Sequence, residues 1–487
     1  MFVAPGRFPR PEFLRSPRSR PWVMHETIVR LPHAVGGLPI LGAGWVLIAM
    51  AAALTWRLWT LSRTSPGSPD AASPWSTFAA GELWMWLIAA GVVWRVLPTL
   101  ELRNIDGDPV GMAVRGYGVF LLAGVLGAIG LAAYRARRRG IDPDLIYRMA
   151  PWAFFGGILG ARLFYVIQYR HRFVREDVWQ TLAAMLKFTE GGLVVYGAFI
   201  GGAAGVLWFL WRHRIPILKL GDVIVPCLFL GIFFGRMGCL MHGCCWGGRC
   251  EASATSLQFP PGSPVYQDQM LDGSIVGLTI DPATRTVDAV ANASPAASSG
   301  IRVGDTVDSI EVQIVEGPAV RRDVPIEEVR QTLFIRTTSS SNSESPDLGS
   351  SGLSSSGLSS SDLTASASNR PSRTHRFTPA ELPPRALPVH AAQLISSMGG
   401  LILCLSLCAI PAGRVREGTV MWLGFAGYAV LRFALEWVRV DEAGQFGTSL
   451  SISQWVSLLV LGIAVVGYAL QRRLTTPTEA AVANPVV

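Results

Sequence analysis

Apolar residues gather into long runs near 36–56, 79–98, 113–133, 150–168, 190–211, 222–241, 391–411, 418–438 and 452–470, and polar residues mostly fill the stretches between them. A helix that crosses the hydrocarbon core of a bilayer needs about 20 mostly apolar residues. The pattern therefore predicts about nine candidate spans, of which Gly, Pro and Trp interrupt the first two. Basic residues orient the set. Arg135-Ala136-Arg137-Arg138-Arg139 follow the third run, Arg212, His213 and Arg214 the fifth, Arg414 and Arg416 the seventh, and Arg472-Arg473 the ninth. In an alternating topology all four clusters fall on one side, which the positive-inside bias makes cytoplasmic. The C-terminus is then cytoplasmic, the segment 245–388 lies outside, and with nine spans the N-terminus does too. Arg7, Arg10, Arg15, Arg18 and Arg20 oppose this, since the same bias would hold them inside. Either one early run does not span or translation begins at Met24, and the lack of periodicity over 1–23 favours the second. No apolar core with a cleavage site follows these charges, so they do not form a signal peptide.

The outer segment has parts of its own. Ser339 to Ser368 is rich in Ser and poor in large apolar residues, a composition that cannot build a core and predicts disorder. Before it, Ile275 to Thr337 alternates apolar and polar residues as short strands do. It holds Ser294-Pro295-Ala296-Ala297 and then Gly300-Ile301-Arg302-Val303-Gly304-Asp305. This resembles the centre of a PDZ domain, in which the run after SPA begins a helix and the GD turn leads into a strand. An unrelated small β-rich insert is the plain alternative. The expected organisation is a basic disordered N-terminus (1–34), extra N-terminal membrane segments (35–110), a first membrane core (111–260), the PDZ-like insert (261–337), a Ser-rich linker (338–385), a second membrane core (386–472) and a cytoplasmic tail (473–487).

Composition agrees with the pattern: 50% of residues are hydrophobic, 16% are charged and the mean hydropathy is +0.36. Soluble domains carry about a quarter charged residues. The net charge of +8 does not point to nucleic acid, because the arginines flank apolar runs and act as topology signals and headgroup contacts. Seven cysteines, four of them within 239–250, are too few and too clustered for a disulfide scaffold.

Five strings carry candidate chemistry. Gly235-Arg236-Met237-Gly238-Cys239-Leu240-Met241-His242-Gly243-Cys244-Cys245-Trp246-Gly247 ends the sixth run. An arginine inside an apolar span costs ~2.5–3.5 kcal/mol at the centre and marks function, although an interfacial arginine can also snorkel to headgroups. The glycines Gly238, Gly243 and Gly247 allow close approach to a bulky ligand or a neighbouring helix. The second string is Tyr428-x3-Arg432-x3-Glu436-x2-Arg439, a charged stripe on one helix face. Two arginines oriented by Glu436 suit a phosphate, and a structural ion pair is the competing explanation. The third is Glu190-Gly191-Gly192-Leu193-Val194-Val195-Tyr196-Gly197 followed by Gly201-Gly202, with Tyr196 as a donor or an interfacial aromatic. The fourth and fifth are Arg115-Gly116-Tyr117-Gly118 and Gly160-Ala161-Arg162-Leu163-Phe164-Tyr165.

Together these strings resemble the prolipoprotein diacylglyceryl transferase family of the bacterial inner membrane. Arg236, Gly238, Gly243 and Gly247 fit its GR-x-G-x4-G-x3-G hallmark. Tyr428, Arg432, Phe433, Glu436 and Arg439 fit its Y-x3-R-F-x2-E-x2-R string, and Arg115, Tyr117 and Gly118 its R-x-Y-G string. Pro388, His390, Gln393 and Leu394 agree as well, as do Leu450, Ser453, Gln454 and Ser457. The resemblance covers most of 110–260 and 385–470. It implies an all-α polytopic membrane protein with about seven core transmembrane helices, one or two extra N-terminal helices and a small β-rich PDZ-like periplasmic insert. It also implies transfer of a diacylglyceryl group from phosphatidylglycerol to the lipobox cysteine of a prolipoprotein signal peptide. Arg236, Arg432, Tyr117 and Tyr196 are then the expected catalytic residues. Arg236, Gly238, Gly243, Gly247, Glu436, Arg439, Arg162 and His390 are expected to bind substrate. No cofactor, metal or nucleic acid is expected. The sequence departs from many members, which carry Asn where this chain has Cys239, Glu where it has Cys244 and His where it has Tyr196, so the general base is left open. Two other classes compete with this reading. A transporter would show paired halves, and no internal repeat is visible. A metal protein would use Cys239, His242, Cys244, Cys245 and Cys250, but C-x4-C-C-x4-C lacks the paired knuckles of a zinc ribbon.

Overall fold

The computed structural model describes residues 27–63, 78, 83–104, 106–173, 177–186, 192, 194–253, 255–313, 331–339, 372–411, 415–439, 444 and 447–474. The N-terminal arginines, Met24, most of the Ser-rich stretch, Glu190-Gly191, Arg414 and the tail after 474 lie outside the described residues. In chain order the helices are α1 (Trp45–Arg63), α2 (Leu83–Arg95), α3 (Gly116–Arg138), α4 (Asp144–Gln168), α5 (Val178–Leu186), α6 (Val195–Arg212), α7 (Ile217–His242), α8 (Pro264–Leu271), α9 (Pro295–Ser298), α10 (Ala392–Cys408), α11 (Thr419–Leu435) and α12 (Ile452–Leu474). Among the described residues six are long and apolar enough to cross a membrane: α1, α2 extended to Leu100, α3, α4, α7 and α12; α10 and α11 are apolar but shorter. Leu122, Phe155, Ile167 and Val465 stay exposed on these helices, as expected of surfaces that meet lipid. The chain is a multi-pass membrane protein.

It folds as two compact units. The first lies within Met1–Gly116, Met241–Cys244 and Arg249–Val389. Two boundaries differ here from expectation. Thr27–Pro32, expected to be disordered, forms strand β1 and pairs antiparallel with β2 (Pro109–Arg115). The pairing is long-range, so local composition could not reveal it. The first helix begins at Trp45 rather than near 36, because Gly36 and Gly37 both take left-handed φ and close a hairpin between Ala34–Val35 and Leu38–Pro39.

The insert belongs to the same unit. Ser263 caps α8 by accepting from the Tyr266 amide, with Pro264 at the first helical position. Strands β3 (Leu278–Ile280) and β4 (Val287–Val290) pair antiparallel. Ser294 caps α9 through the Ala297 amide, and Asp305 Oδ2 accepts from the Arg302 amide, closing the turn into β5 (Thr306–Gln313). β5, β6 (Thr332–Thr338) and β7 (Ser372–Phe377) form one sheet with β6 in the middle. The expected linker 338–385 therefore contains a strand: Leu333 and Ile335 on β6 and Phe377 on β7 are all fully buried.

The second unit holds Tyr117–Leu240, Cys245–Gly248 and His390–Val487. Its α4 and α6 meet along facing glycines. A Cβ on Gly160 would lie 2.3 Å from the Gly197 carbonyl oxygen, and one on Gly156 2.5 Å from that of Gly201. Only hydrogen fits there, the small-xxx-small mode of helix association. At the other end of the unit Asp222 on α7 is fully buried. It accepts from Arg139 Nη1 at 2.9 Å and from the Gly418 and Met421 amides at the start of α11 at 2.9 and 2.8 Å. A carboxylate here satisfies amides that the helix itself leaves open.

Candidate active site

Helices α3, α7, α10 and α11 set the frame. α3 runs antiparallel to α7: Arg135 Nη2 donates to the Asp222 carbonyl at one end, and at the other a Cβ on Gly238 would lie 3.1 Å from the Tyr117 ring. The hallmark Gly238 is thus small because the Tyr117 backbone and ring pass against it. α10 lies close to α7, with Ser397 Oγ donating to the Phe233 carbonyl at 3.0 Å and Gly400 facing the Phe229 carbonyl. α11 runs parallel to α7. Asp222 meets Met421, Val225 meets Gly424, and the Phe229 and Tyr428 rings lie 6.1 Å apart. These pairs keep one constant offset. Carried two turns further, it sets Arg236 level with Leu435, about one turn past Arg432.

Arg432 is held at two points. Its Nη1 donates to Glu436 Oε2 at 2.5 Å and its Nη2 to Ser453 Oγ at 2.7 Å. Glu436 is buried, so a charged partner compensates its desolvation. Ser453 sits in the first turn of α12, whose start is a reciprocal capping box. The Ser451 amide donates to Gln454 Oε1 at 3.0 Å and the Gln454 amide to Ser451 Oγ at 3.3 Å. Arg236 is half-buried, and among the described residues it makes no hydrogen bond, ion pair or ring stack. A half-buried guanidinium with uncommitted donors suits an anionic ligand.

The hallmark's last glycine joins the strings through the backbone. The Gly247 amide donates to the His390 carbonyl at 3.0 Å, the Gly248 amide to the Val438 carbonyl at 3.1 Å, and the His390 amide to the Gly248 carbonyl at 3.0 Å. A Cβ on Gly247 would meet His390 Cβ and the Val438 oxygen at 2.8 Å each. Gly247, His390 and the turn before Arg439 are therefore one knot. The His390 side chain is exposed and Arg439 half-buried. Gly243 belongs to the other unit, where its φ of +76° turns the chain against Phe259 and Ser263.

Other expected residues sit apart from this knot. Arg162 is buried on α4, and its Nε and Nη2 donate to the Met185 and Ala184 carbonyls at 2.8 and 3.1 Å. It closes the C-terminal end of α5, so the structure gives it a positioning task. Tyr196 is 61% exposed in the first turn of α6, and Tyr117 is 40% exposed. Ser453 carries a contact that nothing local singles out, beyond its place among Leu450, Ser453, Gln454 and Ser457.

The family profile described as Prolipoprotein diacylglyceryl transferase matches residues 109–470. The chain belongs to the prolipoprotein diacylglyceryl transferase family. A phosphatidylglycerol–prolipoprotein diacylglyceryl transferase of Rhodopirellula baltica is 39% identical over 480 residues, covering 92% of this chain and 89% of its own. Enzymes of the same name from Clostridium tetani (36% over 137 residues, 28% of this chain and 53% of the relative) and Deinococcus radiodurans (30% over 178 residues, 36% and 52%) match shorter stretches. The long match reaches well beyond the family profile, so the R. baltica transferase shares sequence outside the common core.

Proposed function

We propose that this chain transfers the diacylglyceryl group of phosphatidylglycerol to the lipobox cysteine of prolipoproteins, releasing glycerol phosphate, at the outer face of the bacterial inner (cytoplasmic) membrane. The observation that carries this reading is Arg236, half-buried with no partner among the described residues, on the helix beside an Arg432 tethered by Glu436 and Ser453. The substrate thiol attacks the glycerol carbon that bears the phosphodiester. A carbon–sulfur bond forms, the carbon–oxygen bond breaks, and the thiol proton is lost. A free thiol has a pKa of ~8.5, so deprotonation is part of the work. Positive charge aimed at the leaving phosphate in a water-poor site stabilises the transition state. Arg236 and Arg432 supply it; Glu436 and Arg439 orient the pair. Tyr117 and Tyr196 position lipid or thiol, and Gly238, Gly247 and His390 lie beside the bound substrate.

In this reading the core comprises seven spans, α3, α4, α6, α7, α10, α11 and α12, with α1 and α2 as extra membrane segments. The Arg135–Arg139 end is cytoplasmic. The PDZ-like insert lies outside and guides substrate. Arg162 contributes indirectly by holding the C-terminal end of α5. The direct test is transfer from labelled phosphatidylglycerol to a lipobox peptide by purified protein. A thioether-linked diacylglyceryl peptide is expected; its absence with folded protein overturns the proposal.

A further inference from the structure

At the outer end of α7 two cysteines outside this machinery face each other. Cys239 lies in the last turn of α7 and Cys245 just beyond it, and their sulfurs are within 4.8 Å. Both are half-buried. Cys245 holds a φ of +58°, a left-handed conformation that a residue with a Cβ rarely adopts unless its surroundings enforce it. That backbone conformation turns the chain after α7 and leads directly into Gly247 and Gly248, which bond His390 and Val438. Asp222, bonded to Arg139 at the opposite end of α7, is about 25 Å of helix away from Cys239. The cysteine pair is thus at the end opposite the arginine cluster.

We infer that Cys239 and Cys245 are a disulfide-forming pair that pins the outer end of α7 to the Gly247–His390–Val438 knot. The inference rests on the proposed orientation, which puts this end in an oxidising compartment where disulfides persist. The thiolate of Cys245 attacks the disulfide of an extracytoplasmic dithiol oxidase and releases one of its sulfurs as thiolate. Cys239 then attacks the mixed disulfide and releases the second. Two protons and two electrons leave the pair, and the oxidase is reduced to its dithiol. The sulfurs must close to about 2.05 Å, a change that side-chain rotation with a small shift of the loop supplies.

The test uses the full-length protein, purified without reductant and unfolded in the presence of a thiol reagent. Five of its seven cysteines should react, and all seven after reduction. In Cys239→Ser and in Cys245→Ser all six remaining cysteines should react without reductant. Cys244→Ser should keep four reactive and one pair, which separates the assigned pair from its neighbour. Seven reactive thiols in the native protein, a pair lost only in Cys244→Ser, or stoichiometric co-purified zinc overturns the inference. A membrane-impermeant maleimide applied to reductant-treated intact cells tells the two readings apart. Labelling of Cys245 on intact cells, combined with seven reactive thiols, leaves the orientation standing and rejects the disulfide. Labelling only after lysis rejects the orientation, and the disulfide with it.

Discussion

Arg236 and Arg432 differ in how they are held, and the difference sets what each substitution should do. Arg432 has two fixed donors, one on Glu436 and one on Ser453. Arg236 has none among the described residues. Lysine keeps the charge but loses the planar fork. Arg236→Lys and Arg432→Lys should each lower the transfer rate by ~10²–10³, the usual loss for one preorganised donor. The double mutant should lose less than the product of the singles, since both act on one phosphate. Near-normal rates in both single mutants would reject the shared clamp. Ser453→Ala removes one orienting hydrogen bond to a charged group, worth ~1.5–3 kcal/mol, and should cut the rate roughly ten- to a hundredfold. The loss should appear in kcat rather than KM, because the bond aligns Arg432 without touching substrate; an unchanged kcat would show that Ser453 is a packing residue. The two arginines were legible in the sequence as charges inside apolar spans. Ser453 was not, because a serine two residues past a cap reads as part of the helix start. Arg162 carried the same apolar-span signal as Arg236 but is committed to the carbonyls of α5, a partnership 22 and 23 residues away in sequence.

At the level of elements, the apolar runs located the membrane helices, while the meaning of their glycines depended on the neighbouring helix. Gly197 and Gly201 belong to the third string, near the start of a span. They are the surface on which α4 packs, against Gly156 and Gly160. By contrast Gly130 on α3 has nothing within 4 Å of the space a Cβ would take. Gly160→Leu should lower the unfolding temperature in detergent markedly, because overpacking costs ~1–3 kcal/mol and here the obstacle is backbone that cannot rotate away. Gly130→Ala should leave it unchanged or raise it slightly. Equal behaviour of the two variants would mean that the α4–α6 contact does not hold the fold together. The capping box on Ser451 and Gln454 was readable locally, but the capping of α11 was not. Its amides are met by Asp222 from another helix, some 196 residues earlier in the chain.

The whole molecule carries an insert whose closure the Ser-rich stretch conceals. β7 follows that stretch and returns to β6, so the insert ends later than its composition suggests. Its base is a separate zip. Gln269 exchanges hydrogen bonds with Leu387, donating to its carbonyl at 3.2 Å and accepting from its amide at 2.7 Å. Tyr266 Oη donates to the Pro383 carbonyl, and the Ala386 amide donates to the Phe259 carbonyl. Residues 275 and 380 both lie beyond this zip. Deleting 275–380 and joining the ends with a short linker therefore removes β3 to β7 while keeping the bonds between 259–271 and 383–387. If the insert guides substrate and takes no part in the chemistry, the deleted protein should transfer to a short lipobox peptide in detergent at a rate within about tenfold of the full chain, a barrier change of ~1.4 kcal/mol. Against a full-length prolipoprotein in vesicles its KM should rise with kcat little changed, since the lost contacts bind ground state and transition state alike. Complete loss of peptide transfer, with an unfolding temperature near that of the full chain, would place part of the insert in the catalytic machinery. An unchanged KM for the prolipoprotein would remove its role in guiding substrate.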